Sequence, residues 1–132
     1  MSSVRLSFVS VIADDIVGLS GFYAEVFGLD EVVTLRSEHF RGLWIGETIL
    51  GFSTKHAYAL LNLTDPESVS EPSTFWTFEV DTESAVSAMT DAAVAAGARC
   101  VSAPARTYYG AWQSVLLDPE GNAFRINHLS IA

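Results

Sequence analysis

The stretch LLDPEGNAFRI, Leu116 to Ile126, decides how this chain is read. Asp118, Pro119, Glu120, Gly121 and Asn122 are almost pure turn chemistry. Proline presets φ, glycine tolerates positive φ, and Asp and Asn side chains bond to nearby backbone. Apolar runs flank the turn on both sides, so the stretch reads as a β-hairpin. Its strands are Trp112 to Leu117 and Ala123 to His128. The returning strand sets a charged Arg125 among apolar neighbours, and that placement needs a reason.

The same patterns run upstream. Phe75 to Val80 reads as a strand, and Asp81 or Thr82 as a helix cap. Val86, Met89, Ala93 and Ala96 recur at helical spacing until Gly97, and Arg99 to Ser102 is a further strand. The first half follows one plan with the second. Val4 to Ile12 is a strand, Asp14 and Asp15 are capping residues, and Ile16, Leu19, Tyr23, Val26 and Phe27 mark a helix closed by Gly28. Three β-like runs follow: Glu31 to Arg36, Phe40 to Ile45, and Thr48 to Ser53, the last two joined through Gly46 and Glu47. Residues 62 to 73, NLTDPESVSEPS, are polar, acidic and carry two prolines, which reads as a loop. Each half is thus strand, helix, three strands. The spacings from Asp15 to Asp81 and from Gly46 to Gly121 differ modestly, as in a duplication with loop insertions. The expectation is an α+β protein: one domain over residues 1–132, made of two βαβββ modules at about 1–61 and 74–132.

Composition narrows the function. The 132 residues include 16 acidic and 7 basic ones, for a net charge of −9. Nucleic acid and anionic membrane surfaces are disfavoured as partners, because both need a basic footprint. Cys100 is the sole cysteine, so no intrachain disulfide forms, which suits a reducing cytoplasm. The apolar run after Arg5 stops at Ala13, before Asp14 and Asp15, and no small-residue cleavage site follows, so it is not read as a signal peptide. No stretch reaches the roughly 20 apolar residues of a membrane-spanning helix. His39, His56 and His128 sit in separate segments without paired ligand spacing. No nucleophile elbow, phosphate loop or dinucleotide glycine pattern occurs.

On three segments the chain resembles the vicinal oxygen chelate superfamily, which contains glyoxalase I, extradiol dioxygenases and bleomycin-resistance proteins. They are ADDIVGLSGFYAEVFGLDEV (Ala13 to Val32), FWTFEVDT (Phe75 to Thr82) and YYGAWQSVLLDPEGNAFRI (Tyr108 to Ile126). The resemblance covers nearly the whole chain and implies two sheets curled around a cleft. Metal enzymes of that superfamily place His or Glu at four strand positions. Here those positions fall on Phe8, about Leu50, Phe75 and Arg125. Phenyl and isobutyl groups have no lone pairs, and a guanidinium stays protonated, so none of the four binds a divalent cation. The resemblance therefore implies the branch without metal or cofactor, whose members sequester a ligand in an aromatic cleft, often as homodimers. The alternative is a glyoxalase-like lyase or isomerase, or a dioxygenase-like enzyme.

Strand alternation pairs Phe8 with Ser10, Phe75 with Thr77, and Arg125 with Asn127 on common faces. By family analogy these line the cleft together with Leu50 and Phe52. Trp44 and Trp112 are candidates to stack a planar ligand, and Tyr109 lies in a Tyr-rich loop with Gly110 that borders the cleft by the same analogy. Two readings stand for Arg125. One is a guanidinium that binds a carboxylate, phenolate or carbonyl of the ligand. The other is a structural ion pair, with Glu79 for instance, or a side chain that snorkels to water.

Overall fold

Asp15 opens the first helix, where its carboxylate accepts from the Gly18 backbone N–H at 2.9 Å. That satisfies one of the unpaired donors of the first turn. The helix closes at Gly28, which takes the left-handed conformation at φ 64° that glycine adopts without strain. The structure, a computed structural model, describes residues 5–66 and 73–129. The chain divides into two units, Met1–Ser68 and Val69–Ala132.

The first unit runs β1 (Phe8–Ile12), α1 (Ile16–Phe27), a 3-10 turn (Val33–Leu35), β2 (Phe40–Ile45), β3 (Thr48–Ser53) and α2 (His56–Leu60). Its sheet has the order β1-β3-β2, with β1 parallel and β2 antiparallel to β3. Tyr23 of α1 stacks on Phe52 of β3 with ring centroids 5.6 Å apart, and both rings are fully buried. Leu43 and Leu50, paired across β2 and β3, point the same way as Phe52 and are buried too. This is the core of the first unit.

One expected strand is absent. Within Glu31–Arg36, only Glu31 bridges to Leu43; the chain then tightens into the 3-10 turn. The reason is electrostatic as well as geometric. Arg36 turns back to grip Glu31, its Nε and Nη2 donating to the two carboxylate oxygens at 2.8 and 2.6 Å. Two residues five apart in an extended strand are too distant for that pairing. Helix α2 was not expected either, since five residues carry too little periodicity to be read.

The second unit runs β4 (Phe75–Glu79), α3 (Glu83–Ala95), β5 (Arg99–Arg106), β6 (Trp112–Leu117) and β7 (Ala123–His128). Its sheet has the order β4-β7-β6-β5. Thr82 caps α3 by accepting from Ala85 N–H at 3.0 Å. The β6–β7 hairpin pairs Leu117 with Ala123, as the opening stretch predicts. Asp118, almost fully buried, holds the turn: its Oδ1 accepts from the backbone N–H of Glu120 and of Asn122, at 2.9 and 3.0 Å. Gly121 takes φ 87°. Beneath α3, Thr90 gives its proton to the Val86 carbonyl at 2.7 Å. Its oxygen, also at 2.7 Å from Ser114 Oγ, must then accept, so Ser114 is the donor and both buried hydroxyls are satisfied. Among the described residues no helix is long and apolar enough to cross a membrane.

Two measurements check this packing. Phe52→Ala removes a fully buried ring and should cost about 3–5 kcal/mol in urea unfolding. Phe8→Ala, at a half-exposed ring on the opposite side of the same sheet, should cost well under half of that. The Glu31–Arg36 pair carries a pH signature. Its hydrogen bond to Arg36 holds the Glu31 carboxyl below the ordinary 4.5. A depressed carboxylate adds stability above its ordinary value and loses it as pH falls through the lowered one. Arg36→Gln should therefore move the Glu31 titration up toward 4.5 in NMR, and lower stability at pH 7 but not in acid.

Candidate functional site

In each sheet a helix covers one face, and the other face carries the residues of interest. In the second unit, Phe124 and Ile126 are fully buried on the helix side. Arg125, between them, must point the opposite way. That is the physical reason for a charge in an apolar run.

The register assembles the open face from three strands. Thr77 pairs with Arg125, Glu79 with Asn127, and Gln113 with Asn127. Arg125 Nε donates to Thr77 Oγ1 at 2.9 Å, and its Nη1 donates to the Tyr109 hydroxyl at 3.4 Å. Its guanidinium carbon lies 4.8 Å from the centre of the Phe75 ring. That is within cation–π range. The guanidinium is thus fixed on three sides.

A polar chain continues from Tyr109. Gln113 Nε2 donates to the Tyr109 hydroxyl and to Asn127 Oδ1, each at 2.9 Å. Asn127 Nδ2 donates to Glu79 Oε1 at 2.8 Å, and the Leu129 backbone N–H donates to Glu79 Oε2 at 2.7 Å. Glu79 is an acceptor only, and this sets the direction of the chain. Asn127 must turn its amide N–H toward Glu79 and its oxygen toward Gln113. Gln113 must then donate, and Tyr109 must accept. Tyr109 accepts from two donors, so its own O–H proton is directed to neither of them.

The expected ion pair between Arg125 and Glu79 does not form. Glu79 is taken by Asn127 and Leu129, and among the described residues Arg125 makes no salt bridge. Trp112 does not join Arg125 either. It pairs with His128 on the helix-facing side, one residue out of phase with Gln113, and Arg106, itself bonded to Glu83 of α3, lies over its ring at 5.3 Å. Gln113 takes the open-face place that was expected for the tryptophan.

In the first unit, the open face holds Phe8, Ser10 and Trp44, with Phe8 and Trp44 each nearly half exposed. Leu50 and Phe52 do not share it. They lie beneath α1, because strand parity puts Leu50 with Leu43 and Phe52 with Tyr23. A shift of one residue along a strand reverses the face. Ser10 pairs with Gly51 as Thr77 pairs with Arg125, so Gly51, rather than Leu50, is the counterpart of Arg125. Phe40, which sequence reasoning passed over, packs its ring against Gly42 and Gly51; a Cβ on Gly51 would lie 2.8 Å from that ring. Phe8 meets Phe40 edge-on at 6.3 Å.

None of the side chains at the four positions that the superfamily resemblance singles out can ligate a divalent cation. Phe8, Phe75 and Gly51 offer no side-chain donor, and Arg125 offers only protons. Among the described residues no three or more His, Cys, Asp or Glu gather as ligands.

The Glyoxalase/Bleomycin resistance protein/Dioxygenase superfamily model matches residues 5–126. The chain belongs to this superfamily. It is 43% identical to a glyoxalase/bleomycin resistance protein/dioxygenase family enzyme from Burkholderia phytofirmans PsJN, with a TM-score of 0.92 over 96% of this chain and all of that one. A glyoxalase-related enzyme from Fulvimarina pelagi has a TM-score of 0.82 at 19% identity, over 95% of this chain and 88% of that one. Lactoylglutathione lyase from Agrobacterium tumefaciens has a TM-score of 0.72 at 19% identity, over 96% and 94%. The latter two share the fold. Comparison with curated proteins returns no match.

Removal of the carboxylate that directs the polar chain is a clean test. Glu79→Ala leaves the nearly buried Asn127 amide without its acceptor and should lower stability by about 1–3 kcal/mol in chemical denaturation.

Proposed function

We propose that this glyoxalase-superfamily protein binds a small, partly aromatic molecule without a metal ion, and that the open face of the second unit's sheet anchors it. The observation that carries this reading is the Arg125 guanidinium, held by Thr77, Tyr109 and Phe75; the superfamily resemblance implies a metal ligand at this strand position. A guanidinium fixed in advance loses little conformational entropy on binding. It presents its remaining N–H groups to an anionic or carbonyl oxygen.

Tyr109 supplies the complementary element. Its hydroxyl, oriented by Gln113 and Arg125, directs a proton outward toward a ligand acceptor. Phe75, about three-fifths exposed, supplies an aromatic surface for stacking. A charged group, a hydroxyl donor and a ring on one rigid sheet make up the polar and aromatic set of a small-molecule site. Sequestration of a drug or metabolite needs only this binding. Resistance by capture is its most concrete form.

Trp76 and Trp112 lie in the helix-facing rows of their strands, so ligands are best found by calorimetry or thermal shift. A screen of aromatic acids and phenols should yield a binder whose affinity falls by about tenfold to a hundredfold in Arg125→Ala, equivalent to one lost charge-assisted hydrogen bond. Tyr109→Phe should weaken the same ligand less. A binder unaffected by both substitutions would remove the assignment.

A further inference from the structure

A second feature lies in the first unit, between α1 and the segment that replaces the missing strand. It is a groove of about 300 Å³ lined by Val17, Ser20, Gly21 and Ala24 of α1, Leu29, Arg41 and Leu43, with Glu31 and Arg36 beside them. That volume is at the lower end for a small-molecule site.

The charges in the groove are unbalanced. Arg36 engages both oxygens of Glu31, at 2.6 and 2.8 Å. Glu31 is thereby neutralised. Arg41 reaches the same carboxylate only at 4.0 Å, while its Nη1 donates to the Ser37 and Phe40 carbonyls. Among the described residues its Nη2 has no hydrogen-bond partner. The Arg41 side chain is only 19% exposed. Two guanidinia thus share the single Glu31 carboxylate, and a surplus positive charge on a side chain four-fifths buried favours an anion beside it. The chain as a whole carries −9, so this local positive surplus runs against its general charge.

Gly21 is the second observation. Glycine weakens a helix relative to alanine, and α1 has two. At Gly18 a side chain would collide with the capping Asp15 carboxylate, which accounts for that glycine. At Gly21 a Cβ would meet nothing within 4 Å. Packing does not call for a glycine there. A side chain at that position would instead stand on the wall of the groove.

We infer that the groove binds a small carboxylate with an apolar body. Its carboxylate would pair with Arg41 Nη2, and its apolar part would lie against Val17, Ala24, Leu29 and Leu43. None of the residues that line this groove belongs to the second unit's open face.

The test is a residue-resolved NMR titration of the full chain with 3-phenylpropionate and with 3-phenylpropanamide, its uncharged counterpart. The expected result is saturable shifts at Gly21, Leu29 and Arg41, with the amide binding at least about tenfold more weakly for want of the charge. Gly21→Leu fills the groove and suits a helix better than glycine, so it should fold as the native chain does by circular dichroism and lose the binding. Absence of saturable shifts at the groove, equal binding of the amide, or undiminished binding by folded Gly21→Leu would each overturn the assignment. Shifts confined to Thr77, Gln113 and Arg125 would do so too, and would report the other site.

Discussion

A strand side chain has two directions available, and in each unit of this protein a helix occupies one of them. Tyr23 on Phe52 sets the buried side of the first sheet; Thr90 with Ser114 sets that of the second. Everything else in the strands then follows by parity. Phe124 and Ile126 go under α3, so Arg125 goes to the open face. Leu50 and Phe52 go under α1, so Gly51 lies between them on the other side. The open faces are what the helices leave over, and their chemistry is free to differ between the two units.

They do differ. The first unit's open face is apolar, with Phe40 lying against Gly42 and Gly51 and flanked by Phe8 and Trp44. The second unit's is a directed polar chain that begins at the Glu79 carboxylate and ends at Tyr109 and Arg125. One acceptor-only group at its end is enough to orient each amide along it. The two units also differ at the sheet edge. Where β5 completes the second sheet, the first unit turns aside through the Glu31–Arg36 pair and leaves a groove beside α1.

The elements with strong local chemistry were legible in the sequence. The Asp-Pro-Glu-Gly-Asn turn, the caps at Asp15 and Thr82, and the closing Gly28 declare themselves through backbone requirements that few residues meet. Phe8 with Ser10, and Phe75 with Thr77, follow from alternation within one strand. The errors lie between strands. The hairpin turn fixes Leu117 opposite Ala123, and counting on from there places Gln113 beside Asn127 and turns Trp112 away. The same count from Gly46 sends Leu50 under the helix. Both placements are thus carried by turn parity, and not by side-chain size or by distance along the chain. The Glu31 turn was not legible, because an ion pair five residues apart competes with a β-prone sequence only once both side chains have somewhere to go.

The central proposal is that this member of the superfamily works without a metal ion, argued from the phenyl, hydrogen and guanidinium groups at the positions where the superfamily resemblance implies metal ligands. Metal content by mass spectrometry, on untagged protein purified without chelator, tests it most directly. A functional metal site should be close to fully occupied, so less than roughly a tenth of an equivalent of any divalent metal is expected. One equivalent of a single metal, retained through purification, would contradict the account.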